Sequence, residues 1–302
     1  MKKQTAESFA KLETLQLRAR TLVESVLTGT HRGNQKGFSV DFSEHRDYSP
    51  GDDVRFIDWK LLGKRDRFYI RQFEDENQLQ AWLLVDTSGS MLYRSQDAHL
   101  SKLEYAATLA SAIGWIACYQ RDQATLLAFD SHEFTQTGPV YGHAGAKRFI
   151  ERLGEVTQLS PTPTQKSIEE EDQFIGLARA AEKVPRNSVV CVLTDAFGDA
   201  DQLKRILSSL QHKNCDLRLL HVLDPAEFEF PFTGSMLFKG LEGGEFQTQS
   251  HAIREEYIKE FESFLMETRR LCRQTNCQYW VANTEEQLDM LLRQFLNSRK
   301  QS

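Results

Sequence analysis

From residue 78 to 298 the chain repeats one pattern: a short apolar run without alternation, then a longer stretch with apolar positions at helical spacing. Such runs suit strands covered on both faces, and the helical spacers are long enough to let neighbouring strands lie parallel. The pattern predicts strands over 79–85, 124–129, 188–193, 217–223 and 278–282, and helices over about 100–119, 144–156, 172–184, 201–211, 253–275 and 284–298. Residues 132–137 follow the second strand after only Asp130-Ser131, too close for a crossover, and are expected as an antiparallel edge strand. The fold class is therefore α/β, a doubly wound, mostly parallel, Rossmann-like sheet. With the strand order 3-2-1-4-5-6, strands one and four flank the reversal of order, where ligands bind in such sheets.

Upstream the pattern changes. Leu12, Leu15, Ala19, Leu22, Val23 and Val26 give Thr5–Leu27 one apolar helical face, expected to dock on the main body, and Thr28-Gly29 ends it. Residues 31–77 carry turn signals at Gly33, Gly37 and Pro50-Gly51-Asp52-Asp53 between apolar runs at Phe38–Phe42 and Phe68–Phe73, which reads as a small β subdomain. The expected division is 1–77 for helix and subdomain and 78–302 for the α/β domain, with a Phe- and Gly-rich, hairpin-like insertion near 226–249. Between Arg46 and Lys60 charges alternate with aromatics, as a binding face or as an internal salt-bridged knot. Lys64–Arg71 alternates like a half-exposed strand and runs into Glu74-Asp75-Glu76, which argues against a nucleic-acid strip.

The 302 residues are 40% hydrophobic and 26% charged, enough for one large domain and an appendage. A net charge of −6 and a pI near 5.8 give no bulk reason to expect a nucleic-acid partner. Five cysteines, Cys118, Cys191, Cys215, Cys272 and Cys277, lack Cys-x-x-Cys spacing and sit mostly in apolar stretches, pointing to a reducing compartment and no zinc site. The first fifteen residues hold no signal-peptide apolar core, and Tyr105–Cys118 is too short for a bilayer of ~30 Å. A cytoplasmic protein without membrane insertion is expected.

The first α/β strand stops at a carboxylate and passes into hydroxyls and glycine: Asp86-Thr87-Ser88-Gly89-Ser90. Oxygens so spaced in a turn can converge on one hard divalent cation, Mg²⁺ or Mn²⁺. Four predicted strands end in aspartate, Asp86, Asp130, Asp195 and Asp224, and the expected order brings Asp86 and Asp195 to the two sides of one crevice; a lysine or arginine plugging the gap between them would overturn the cation reading. The plainer account is that aspartate and serine terminate strands and cap helices. Two catalytic alternatives use the same rim: a metal-dependent hydrolase on Asp86, Asp130 and Asp195, and a serine triad of Ser88, His221 and Asp195. The chain has neither a Gly-x-x-x-x-Gly-Lys phosphate loop nor a Gly-x-Ser-x-Gly elbow.

Asp86-Thr87-Ser88-Gly89-Ser90 resembles the metal-ion-dependent adhesion site of von Willebrand factor A-type domains, and Gln78–Ser298 is similar to that fold. Arg46 to Trp59, with Tyr48, Gly51-Asp52-Asp53, Arg55 and Ile57-Asp58-Trp59, resembles the bacterial domain-of-unknown-function 58 family. The resemblance implies a non-catalytic interaction module whose cation is held by Asp86, Ser88, Ser90 and Asp195 and captures a partner's acidic side chain. It also implies a MoxR-type AAA+ ATPase as partner. A second-loop threonine belongs to that pattern. Here Thr162 and Thr164 offer themselves, while alignment on Leu177-Ala178 puts Asp172 at the position. A metal-independent adaptor acting through Arg46–Trp59 is the third reading.

Overall fold

A computed structural model describes residues 14–26, 44–47, 69–72, 79–131, 133–158, 174–232, 235–239 and 245–297. The chain divides into two compact units, 30–78 and the remainder. In the first, β1 (Glu44–Asp47) pairs antiparallel with β2 (Tyr69–Gln72), Arg46 opposite Ile70. The strand expected at Phe38–Phe42 and residues 48–60 of the charged and aromatic segment lie outside the described residues.

The larger unit contains helix α1 (14–26), β3 (Gln80–Asp86), α2 (Lys102–Tyr119), β4 (Gln123–Phe129), β5 (Phe134–Gln136) and α3 (Gly142–Gln158). It continues with α4 (Ile175–Lys183), β6 (Val189–Thr194), α5 (Ala200–His212), β7 (Asp216–Leu223), α6 (Pro225–Glu229), β8 (Ser235–Lys239), β9 (Glu245–Gln249), α7 (Ser250–Gln274), β10 (Cys277–Asn283) and α8 (Leu288–Asn297). Among the described residues the main sheet has the order β10-β7-β6-β3-β4-β5, parallel except for the β5 edge. This is the expected doubly wound α/β sheet, with its reversal between β3 and β6. The β8 and β9 strands form a separate antiparallel pair.

Unalternated strand composition is explained by two cores. Ala81, Leu83 and Val85 of β3 join one apolar cluster with residues of α1, α2, α3 and α8, whereas Trp82 and Leu84 join another with α4, α5 and α7. Because successive side chains point to opposite faces, a strand between two helical layers must be apolar at every position. Helix starts are written in the sequence: Ser101 Oγ accepts the Glu104 N–H at 3.1 Å while Glu104 accepts the Ser101 N–H at 3.0 Å, a capping box that fixes where α2 begins.

Helix starts shift by up to four residues from the expectation, and one helix changes unit. Helix α8 begins at Leu288 rather than 284, because the Asn283 side chain accepts the Glu285 N–H and its carbonyl the Glu286 N–H, spending these residues on a turn. Helix α1, grouped by sequence with residues 1–77, belongs to the α/β unit. Its Leu15, Ala19, Leu22, Val23 and Val26 are buried in the first apolar cluster, and Arg293 of α8 donates to the Ser25 carbonyl at 2.8 Å. Docking on the main body is as expected from its apolar face; only the division at residue 77 differs.

Gly176 marks a close backbone approach. A Cβ there would overlap the Asp130 carbonyl oxygen and lie 2.6 Å from that of Glu133, while its N–H already donates to the Ser131 carbonyl. Both obstacles are main chain and cannot swing away. Gly176→Ala is expected to lift α4 off the β4–β5 turn and cost about 2 kcal/mol or more, read as a lower urea midpoint. A variant as stable as the parent would show that the helix does not seat this closely.

Candidate functional site

The carboxyl ends of β3 and β6 meet at the reversal of strand order, Val85 pairing with Leu193. Asp86, the last residue of β3, is buried; one carboxylate oxygen accepts the Ser88 N–H at 2.9 Å and the other the Thr194 hydroxyl at 2.6 Å. Thr194 Oγ1 in turn accepts the Ala196 N–H at 3.0 Å. That return is made by a left-handed Ala196, φ 52°, which turns the chain sharply after Asp195. The Ser88 and Ser90 hydroxyl oxygens lie 3.1 Å apart, and Ser90 is near enough to Asp195 to favour its charged form. The four residues singled out in the sequence thus gather at one rim: Asp86, Ser88 and Ser90 are linked by hydrogen bonds, and Asp195 is their close electrostatic neighbour.

A basic side chain does reach this crevice. Lys102, the first residue of α2 and only 2% exposed, sends its ammonium to Asp195 Oδ2 at 2.9 Å and to Glu227 Oε1 at 2.8 Å. Its bonds go to these two acids, and Asp86 takes none of them among the described residues. One of the two rim carboxylates is therefore ion-paired within the chain. Neither Lys102 nor Glu227 lies at a strand end, where the sequence pattern directs attention. A signal was available, for Lys102 is the one basic residue of an otherwise largely apolar 18-residue helix.

The charges divide unevenly. Burial pushes the Asp86 carboxyl up to about 7, and the neighbouring Asp195 charge adds to it, outweighing the hydrogen bonds from Thr194 and Ser88. Asp195 is just as buried, yet Lys102 overcomes that penalty and holds it below the usual carboxylate range. Burial also opposes the Lys102 ammonium, but Asp195 and Glu227 together hold its pKa above the ordinary lysine value. The cluster carries more acid than base.

The remaining rim residues do other work. Asp130 is exposed and accepts the Glu133 N–H at 2.8 Å in the β4–β5 turn. Asp224 is buried, but its two oxygens accept the Ala226 and Ser95 N–H groups, capping α6 and tying down the loop after β3. His221 does not complete a triad: Nε2 faces the Asp195 main-chain carbonyl at 2.7 Å and Nδ1 the Tyr279 hydroxyl at 2.8 Å. Burial also drives its pKa down to about 4, so the ring is neutral near pH 7. Ser88 has Ser90, not His221, beside it. Thr162, Thr164 and Asp172 lie outside the described residues.

The donor set can be tested against a hard cation. Adjacent oxygens of a Mg²⁺ octahedron with bonds of 2.0–2.1 Å are about 2.9 Å apart, and the two serine oxygens stand at 3.1 Å with the buried Asp86 carboxylate behind them. The chemistry fits, two hydroxyls and carboxylate oxygen with an excess of negative charge. The set does not hold three or more clustered His, Cys, Asp or Glu side chains, and no such group occurs among the described residues. Around the crevice two apolar side chains face solvent, Leu92 just past Ser90 and Phe197, 65% exposed, two residues past Asp195.

A family described as "Protein of unknown function DUF58" matches residues 44–263. Uncharacterized proteins of Mycobacterium bovis and Mycobacterium tuberculosis are 24% identical to this chain over 235 residues, covering 78% of it and 71% of theirs. Among solved structures, an aerotolerance-related membrane protein from Bacteroides fragilis is 20% identical over 73% of this chain and 99% of its own, with a TM-score of 0.43. BatB from Bacteroides thetaiotaomicron is 18% identical over 74% and 100%, also at 0.43, and the SpRpn10 VWA domain 11% identical over 73% and 95%, at 0.36. Such distant likenesses add nothing to the topology already described. No helix among the described residues is long and apolar enough to cross a membrane.

Proposed function

The chain belongs to the DUF58 family, and on that premise we propose that it is a non-catalytic protein-interaction module whose β3–β6 crevice binds Mg²⁺ or Mn²⁺ through Ser88, Ser90, Asp86 and Asp195. The observation that carries the reading is the Ser88–Ser90 oxygen pair, 3.1 Å apart in front of a buried carboxylate at the switch point of the sheet. A cation there would keep an open position for an acidic side chain of a partner. Leu92 and Phe197, exposed on the same rim, supply apolar contact around that anchor. The partner suggested by the family resemblance is a MoxR-type AAA+ ATPase, and the setting is cytoplasmic, without nucleic acid or membrane insertion.

The direct test is calorimetric titration of the chelator-stripped protein with Mn²⁺, and then pull-down of a MoxR-type ATPase with and without the cation. Asp86→Ala should abolish Mn²⁺ binding and weaken capture about tenfold or more. Phe197→Ala should weaken capture while leaving Mn²⁺ affinity unchanged, because only its backbone N–H touches Asp195. Capture indifferent to chelator and to Asp86→Ala, yet lost in Trp59→Ala, would replace this reading with the metal-independent adaptor. Hydrolysis of a phosphoester that vanishes in Asp86→Asn would replace it with the hydrolase.

A further inference from the structure

A lysine at the first position of a helix stands at the wrong end of the helix dipole, where carboxylates are favoured and cations are not. Lys102 is there nonetheless, with a nearly inaccessible side chain and an ammonium shared between Asp195 and Glu227. Neither the helix nor the apolar core asks for it: α2 is capped by Ser101 and Glu104, and its buried face is supplied by residues such as Leu103, Ala106, Leu109 and Ala110. What it meets is the crevice. Asp195, a carboxylate on which the cation reading depends, is the one whose Oδ2 the ammonium holds.

Its two partners are not equivalent. Asp195 Oδ1 takes only a long bond, 3.3 Å, from the Phe197 N–H. Glu227, by contrast, is anchored independently of the lysine: its other oxygen accepts the Asp224 N–H at 2.7 Å in the capping box of α6, and its side chain reaches the surface, 24% exposed. Glu227 therefore stays in place as a seat for the ammonium if Asp195 turns to something else. A divalent cation on Asp195 and an ammonium 2.9 Å from the same carboxylate repel each other at short range, in surroundings that screen poorly.

Resting on the cation-binding reading above, we propose that Lys102 is a built-in counter-cation that sets the crevice's affinity for divalent metal, occupying Asp195 when the metal is absent and withdrawing onto Glu227 when it binds. Metal binding is then coupled to a side-chain exchange rather than to filling a ready site. The partner would meet a crevice that admits the metal only when the gain exceeds the loss of one ion pair.

The test is Mn²⁺ affinity of the chelator-stripped chain, measured by calorimetry for the wild type, Lys102→Met, Glu227→Gln and the double variant. Lys102→Met should bind Mn²⁺ about tenfold tighter or more, within the ordinary range of coupling between two sites. Glu227→Gln, which leaves the ammonium no charged seat but Asp195, should bind about tenfold weaker, and this effect should vanish in the Lys102→Met background. A merely structural lysine would lower affinity when removed. Equal affinities in all four proteins overturn the counter-cation while leaving the metal reading intact. A Glu227→Gln loss that persists without Lys102 overturns the seat, assigning the effect to general acidity. Binding in none of them, Lys102→Met included, overturns the metal reading and this inference with it. Should Lys102→Met prove too unstable to titrate, an unchanged affinity in Glu227→Gln overturns the proposal alone.

Discussion

Lys102→Met should lower the stability of the metal-free protein by about 3–5 kcal/mol, the usual loss when one partner of a buried ion pair is removed. The ammonium is 2% exposed and bonded to Asp195 at 2.9 Å and Glu227 at 2.8 Å, so its removal leaves a fully enclosed carboxylate beside Asp86 without compensation. Methionine fills a similar volume, and packing loss is a minor part of the change. Adding Asp195→Asn should return most of the loss, because deleting both charges of a buried pair is far less costly than deleting one. Urea denaturation with an unchanged slope reads both effects. A single-variant loss under about 1 kcal/mol would place the pair in the class of exposed ion pairs and contradict the burial.

The second large effect is one of pH. The Asp86 carboxyl titrates at about 7 in the fold against an ordinary value of 3.8, so between those values the native state holds a proton that the unfolded chain has released. Stability from this group is full below about pH 4 and falls as pH rises toward 7. His221 acts oppositely: its folded value of about 4 lies under the ordinary 6.5, so over that interval the unfolded chain holds the extra proton and stability rises with pH. In the metal-free wild type the two slopes oppose each other from about pH 4 to 6.5. Asp86→Asn deletes only the falling one. The variant should therefore gain on the wild type as pH rises, and be more stable above pH 7 by an amount on the order of a few kcal/mol. The Thr194 hydroxyl, now bonded to Asp86 Oδ2, can rotate to meet the amide. Thermal melts of both proteins across pH 4–8 measure the difference, and a gap that does not widen with pH would mean that Asp86 ionises at its ordinary value.

Both effects show why part of the site was readable in advance and part was not. Asp86, Ser88 and Ser90 lie within five residues, and their convergence follows from a strand ending in a turn, a local matter. That Asp195 joins them follows from one further step, the reversal of strand order that right-handed crossovers impose on alternating strands and helices. Thr194 stands beside Asp195 in the chain without any local mark of its role, because its hydroxyl matters only once β6 lies beside β3 and Asp86 needs a donor. The aspartates at the ends of β4 and β7 look alike in sequence, yet one is an exposed turn residue and the other a buried cap, since the turn or helix that succeeds each strand decides where its carboxylate points.

The linear order of residues determined the doubly wound sheet, its antiparallel edge and the oxygen-rich turn at Asp86, because strand and helix periods and turn chemistry act over a few neighbours. The tertiary structure alone decided the electrostatics of the crevice. Lys102 meets Asp195 across 93 residues and Glu227 across 125, and no local rule connects them. Charges buried in a shared low-dielectric space interact through distance and not through sequence separation, so the balance among one ammonium and its acids exists only when the chain is folded.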